Sequence, residues 1–226
     1  MLKKLTALTA ALATTLTVVA NDPVQLDGAK LGQWTMDYDA AAKLAAKTKQ
    51  PMVLNFTGSD WCGWCKIMDK NVFAKDEWKK FAAKNAVLVT LDFPRDKSIV
   101  PTRYVARNKE LQKKFGVGGY PTYVILDSDA KTILGKLGAG RDKTPASFIK
   151  EFQGTVRMSA GAIAAYVKQN PGKAKAYRAA IAEVSAAKKA LSDWIATRPQ
   201  RNPENEKKYK AFLGRINTAN TKLESF

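Results

Sequence analysis

The sequence predicts an α/β sandwich, with helices on both faces of a small mixed sheet, followed by an all-helical extension. Three observations lead there. Short β-branched runs alternate with helical stretches between residues 21 and 154, whereas residues 155–226 are alanine- and lysine-rich and carry no strand signal. With 226 residues, 46% of them apolar, the chain has enough material for a real core. No internal repeat is visible.

The elements follow in order. Met36 to Lys49 holds alanine-rich helix formers behind Asp39, a candidate N-cap, and ends before Gln50-Pro51. Met52 to Phe56 is a bulky, β-favouring run read as a buried strand, leading into a loop from Thr57 to Trp61. Cys62 to Val72 is compatible with one helix, and residues 76–84 with another, where Trp78 and Phe81 share a face. Residues 86–93 read as a second buried strand, and a long loop bounded by Pro94 and Pro101 follows. A helix over 104–115 stops at Gly116. The runs 122–127 and 131–138, joined by a turn at Ser128-Asp129-Ala130, predict a hairpin. Thr144-Pro145 then opens a helix with threonine as N-cap and proline at the first helical position.

In the extension, Pro171 and Pro203 stand where helices can begin. Tyr177, Ile181, Val184, Leu191 and Trp194 fall on one helical face, and Tyr209, Phe212, Ile216 and Leu223 on the next, which predicts an antiparallel helical hairpin whose stripes pack together. The domain reading is therefore a leader at 1–20, a mixed α/β domain at 21–154 and a basic helical extension at 155–226.

The leader reading rests on Lys3 and Lys4 ahead of an apolar run that closes on Val18-Val19-Ala20. This is the pattern of a secretory signal peptide cleaved after Ala20, and it predicts a periplasmic or secreted protein. Leu5 to Ala20 is 16 residues with five threonines, short of the roughly 20 apolar residues that span a bilayer. No later segment has transmembrane character, and Asn21 in place of a cysteine argues against a lipid anchor.

The chain contains no histidine and two cysteines, Cys62 and Cys65. A histidine-based zinc site, a Ser-His or Cys-His hydrolase, a C-x-x-C-H haem attachment and a four-ligand Cys/His knuckle are excluded. What remains is the spacing of the two sulfurs at a helix start. Cys62 would lie where unpaired backbone N–H groups favour a thiolate, and Cys65 one turn in, within disulfide reach. A thiol of pKa about 8.5 is about 3% ionised at pH 7, and lowering that pKa to about 7 raises the thiolate roughly 15-fold. Cys62 is the candidate nucleophile and Cys65 the resolving thiol. Two alternatives stay open on the spacing alone: a structural bridge, which in so short a loop adds little stability, and capture of a soft metal such as Cu(I).

Trp61-Cys62-Gly63-Trp64-Cys65 after an apolar strand, followed about 55 residues later by Gly118-Gly119-Tyr120-Pro121-Thr122 leading into a strand, resembles the thioredoxin superfamily. More narrowly, it resembles secreted bacterial thioredoxin-like proteins that carry FTGSDWCGWC. The resemblance covers about 51–153 and implies a thioredoxin-like fold and thiol-disulfide exchange with protein substrates and a redox partner. No cofactor is implied beyond the dithiol itself. It also implies that Pro121 is a cis-proline facing the cysteines, with the Tyr120 backbone pairing to substrate, and a cis bond before proline costs only about 0.5–1 kcal/mol.

Trp61, Gly63 and Trp64 surround the sulfurs on this reading, and Gly63-Trp64 is the dipeptide that tunes the redox potential. Two departures stand out. Asn55 occupies the nearest equivalent of the buried aspartate that such proteins use as proton acceptor, and an amide takes up no proton at neutral pH. The lysine expected on the next strand is also missing around Leu88, leaving water or Asp60, read chiefly as exposed loop filler.

The formal charge is +18. Residues 21–154 hold 22 basic and 15 acidic side chains, and residues 155–226 hold 14 and 5, so the excess is concentrated in the extension. Anionic envelope surfaces rank ahead of nucleic acid as partners, with a solvated face the default. The rival functional class is a non-catalytic binding protein with a structural disulfide and a partner-binding tail.

Overall fold

A computed structural model describes residues 23–226. The expected signal peptide and its cleavage after Ala20 lie outside the described residues. No helix among those described is long and apolar enough to cross a membrane.

The sheet has five strands in the order β1-β3-β2-β4-β5. They are β1 (Trp34–Thr35), β2 (Met52–Thr57), β3 (Val87–Asp92), β4 (Thr122–Leu126) and β5 (Ile133–Gly138). β2 lies parallel to β3 and antiparallel to β4, which pairs antiparallel with β5. The short edge strand β1, parallel to β3, has no counterpart in the sequence reading. Two residues are too few to show a period, and only the ladder to Leu88 and Val89 makes them a strand.

The pleat of the central strands sorts their side chains into two cores. Met52, Leu54, Phe56, Val89, Leu91 and Val124 face one way. Against them pack α1 (Tyr38–Thr48) and α4 (Thr102–Lys114), through Ala41, Ala45 and Leu111. Val53, Leu88, Tyr123 and Ile125 face the other way. They meet α2 (Gly63–Met68), α3 (Asp76–Asn85) and α5 (Pro145–Val156), which supply Met68, Trp78, Phe148 and Phe152.

Local chemistry fixes the helix ends. Asp37, not Asp39, caps α1, its carboxylate accepting from the Ala40 N–H at 3.0 Å. Gly116, at φ +57°, ends α4 as expected. Thr144 and Ser147 form a reciprocal capping box at α5, with Pro145 at the first helical position.

Two helical expectations need correction. The stretch from Cys62 to Val72 is not one α-helix: α2 gives way at Asp69–Phe73 to a π-turn, in which the Ala74 N–H reaches the Asp69 carbonyl at 2.8 Å. The wider turn lets both Val72 and Phe73 point into the core, and Phe73 meets Trp78, Tyr123 and Phe148 edge to face with centroids 5.2–5.4 Å apart.

The extension, in turn, is more than a hairpin. A helix α6 (Ala160–Gln169), capped by Ser159, precedes the long pair α7 (Ala174–Ala196) and α8 (Pro203–Glu224). Its alanines and glycine obscured the apolar stripe that announces the other two. Lys222 pairs with Glu183 while Trp194 packs on Phe212, so α7 and α8 run antiparallel. Tyr177, Val184, Ala219 and Leu223 are buried between them, with Tyr166 of α6 stacked on Tyr177.

Candidate active site

β2 delivers the chain to the rim of the sheet, and the loop Gly58–Trp61 turns it into α2. Cys62 is the N-cap of that helix: its backbone is extended (φ −81°, ψ 104°), and its sulfur accepts the Cys65 N–H at 3.2 Å. A donor aimed at sulfur favours the ionised form once the bridge is open. The two cysteines are joined as a disulfide, and both residues are buried, at 6% and 7% exposure. Around them Trp61 (38%), Trp64 (44%) and Ile67 (39%) stand out into solvent as an apolar collar, and Gly63 is exposed beside them.

The preceding loop is held from several sides. The Gly58 carbonyl accepts from Trp61 N (3.2 Å) and Cys62 N (2.8 Å). The buried carboxylate of Asp92, at the end of β3, accepts from the Ser59 amide at 2.9 Å and its hydroxyl at 2.5 Å.

Asp60 is neither idle filler nor a base for Cys65. Its carboxylate accepts the backbone N–H groups of Arg95 and Asp96, both at 2.9 Å. Those bonds, led by that from Asp96, hold it below the ordinary aspartate range. It ties the cysteine loop to the loop after β3.

The second motif arrives from the other side of the rim. The Tyr120–Pro121 peptide is cis, Pro121 is buried, and β4 begins at the next residue. The Tyr120 ring meets Trp61 edge to face at 5.6 Å and lies 5.3 Å from Phe93, while its hydroxyl accepts from Gln112 of α4 at 2.5 Å. Trp61 in turn donates its indole N–H to the Phe93 carbonyl at 2.9 Å. The WCGWC turn and the cis-proline turn are therefore neighbours, joined through Trp61 and Tyr120.

Asn55 lies on β2 beneath α2, lining the same cavity as Cys65, and its Oδ1 is buried with no protein partner. Gly58, Phe93, Asp92 and Gln112 support the site although the sequence reading passed over them. Phe93 and Gln112 sit far from the motif in sequence, so nothing local marked them.

A disulfide at a helix start, next to a cis-proline turn on a β1-β3-β2-β4-β5 mixed sheet, is a thioredoxin-like architecture. Residues 33–128 match the thioredoxin-like family. It is 35% identical over 101 residues to the disulfide bond reductase DsbH of Chlamydia pneumoniae, covering 45% of this chain and 60% of that protein. It is 26% identical over 107 residues to the thioredoxin-related protein DsbJ of the same organism, covering 46% of this chain and 30% of that one. Less than two thirds of either relative is therefore spanned. A solved DsbH oxidoreductase aligns at TM-score 0.52 and 27% identity, over 62% of this chain and 97% of that one.

Proposed function

We propose that the protein is a thiol-disulfide oxidoreductase of the cell envelope acting on protein disulfides. The observation that carries this reading is the Cys62 sulfur at the N-cap of α2, receiving the Cys65 N–H, in a turn that touches the cis-proline turn. In the reduced protein the Cys62 thiolate attacks one sulfur of a substrate disulfide, and the other substrate sulfur leaves as thiolate. The exposed tryptophans Trp61 and Trp64 give an unfolded or extended substrate an apolar landing surface, with the Tyr120 backbone beside it. Cys65 then attacks Cys62, restores the internal disulfide and releases the substrate.

The dithiol supplies both electrons, so the reaction calls for no cofactor. The similarity to the disulfide bond reductase DsbH supports reduction as the direction. The envelope location rests on the leader-like first 20 residues, and the basic extension is suited to anionic surfaces there.

The test is a pair of substitutions in the full chain. Cys62→Ser is expected to abolish reduction of insulin disulfides, and Cys65→Ser to accumulate mixed disulfides with client proteins. A Cys62–Cys65 couple below about −300 mV that resists thiol reductants would instead mark a structural bridge and remove the enzymatic reading.

A further inference from the structure

We propose that the far end of the α7–α8 hairpin docks on an anionic lipid surface, with Ile195, Tyr209 and Leu213 entering the headgroup region and the surrounding arginines and lysines meeting the phosphates. This rests on the envelope part of the reading above and is independent of the redox chemistry.

The hairpin is packed unevenly along its length. At its base Tyr177, Ala180, Val184, Ala219 and Leu223 are buried, Tyr166 of α6 stacks on Tyr177 at 3.9 Å, and Lys150 of α5 pairs with Glu224. α7 carries the chain away from this base, so that Trp194 stands about 25 Å beyond Tyr177. There the apolar stripe opens. Leu191, Trp194 and Phe212 are only half-buried. Among the described rings, Trp194 meets only Tyr209, at 6.4 Å, and Phe212, at 5.5 Å.

Aliphatic side chains stand beside these rings and face outward. Ile195, Tyr209 and Leu213 are 50%, 41% and 37% exposed. Ile195 and Leu213 each follow one of two rings that pack on each other, Trp194 and Phe212. Positions so related in an antiparallel pair lie along the same seam of the hairpin. A single exposed apolar side chain is ordinary on a protein surface, but here two aliphatics and three rings gather at one end.

Charge gathers at the same end. Residues 188–215 hold eight basic and three acidic side chains, whereas the rest of the pair, 174–187 and 216–224, holds three and two. Two of those three acids are neutralised within their own helices, Asp193 by Lys189 and Glu206 by Lys210. Arg198, Arg201 and Lys207 have no acidic partner among the described residues, and the Lys208 ammonium lies 6.0 Å from the Trp194 ring centroid. Rings and aliphatics set among arginines and lysines suit a lipid interface: the apolar groups settle at the boundary of headgroups and acyl chains, and the long basic side chains reach the phosphates.

The aliphatic residues choose among polyanions. A polysaccharide or a nucleic acid is hydrated on all sides and would leave Ile195 and Leu213 in water, whereas a bilayer takes them in. Apolar burial and charge attraction then act together.

The experiment uses residues 21–226, the form left by the expected cleavage, which contains all of the described fold and lacks the apolar leader that would itself bind lipid. Affinity is read by sedimentation with vesicles of phosphatidylcholine and phosphatidylglycerol, against vesicles of phosphatidylcholine alone. The unmodified protein is expected to bind the mixed vesicles at least about tenfold more tightly, and less tightly as salt rises. Arg198→Gln, Arg201→Gln, Lys207→Gln and Lys208→Gln, combined, should weaken that binding by at least about tenfold. The same loss of charge on the α/β domain, through Lys43→Gln, Lys47→Gln, Lys84→Gln and Lys109→Gln, should leave it within about threefold. Ile195→Ser with Leu213→Ser should weaken vesicle binding by about tenfold and leave retention on heparin unchanged.

Vesicle binding indifferent to the hairpin variants, or weakened equally by the two sets of glutamines, overturns the proposal. Loss with the hairpin glutamines alone, and none with the two serines, overturns it in favour of a hydrated polyanion. An unmodified protein that ignores the mixed vesicles overturns it without any variant. A protein that binds as expected but reduces no disulfide refutes the oxidoreductase reading and keeps this surface, and one that binds as expected but fractionates with the cytoplasm refutes only the envelope location.

Discussion

Gly58→Ala is a small change with a calculable effect on the site. A Cβ at Gly58 would stand 2.4 Å from Cε2 of Trp61 and 2.6 Å from its Nε1, far inside van der Waals contact, so the indole must move. That ring donates to the Phe93 carbonyl and meets Tyr120 edge to face. Losing the hydrogen bond costs about 1 kcal/mol, and losing the aromatic contact costs about 0.5–1.5 kcal/mol. The stiffer unfolded chain of the alanine variant returns about 0.4–1 kcal/mol.

A net loss of about 0.5–2 kcal/mol in urea-induced unfolding is expected. Because Gly58 also accepts the Cys62 amide, kcat/KM for disulfide reduction should fall with it, by roughly tenfold for each 1.4 kcal/mol that reaches the transition state. Repeating the substitution in a Trp61→Ala background closes the cycle: with the ring gone, the stability cost should vanish. If Gly58→Ala is stabilising, or has the same effect in both backgrounds, Trp61 is not held as described.

Other outcomes can be stated briefly. Burial opposes ionisation of Asp37, but the Ala40 and Gly28 N–H groups and the Arg107 charge outweigh it and lower its pKa. Its capping contribution is therefore whole above about pH 4 and is lost as pH falls through the lowered value, so Asp37→Ala should cost about 1 kcal/mol at pH 7 and progressively less as acid protonates the carboxylate, as read by thermal melts. Phe148→Ala empties the centre of the cluster formed with Phe73, Trp78 and Tyr123, each 5.2 Å away, and should cost about 3–5 kcal/mol in chemical denaturation. Where that variant stays folded, Cys62 should keep its reactivity toward alkylating agents, because Phe148 belongs to the core beneath the sheet and not to the cysteine turn.

Much of the fold was legible because its signals are local. Thr144-Pro145, Gly116 and the apolar runs of β2, β3 and β4 each declare themselves within a few residues, through capping geometry, positive φ or burial on both faces. β1 and the π-turn were not legible, since one exists only through pairing with β3 and the other only because Val72 and Phe73 must both face the core. At the site, Cys62 and Cys65 were found from spacing and Tyr120-Pro121 from resemblance. The role of Asp60 was misjudged, because its amide partners lie 35 and 36 residues away.

Sequence fixes the identity and spacing of the sulfurs, the helix that begins at Cys62, the absence of histidine chemistry and the charge of the extension, all properties of residues and their near neighbours. Tertiary structure decided which groups surround those sulfurs. Trp61 is held on one side by Phe93 and Tyr120 with Gly58 against its ring, and Asp60 and Asp92 are occupied in holding loops. Hydrogen bonds and ring contacts act over only a few ångströms, so the surroundings of a reactive atom are set when the chain folds back on itself.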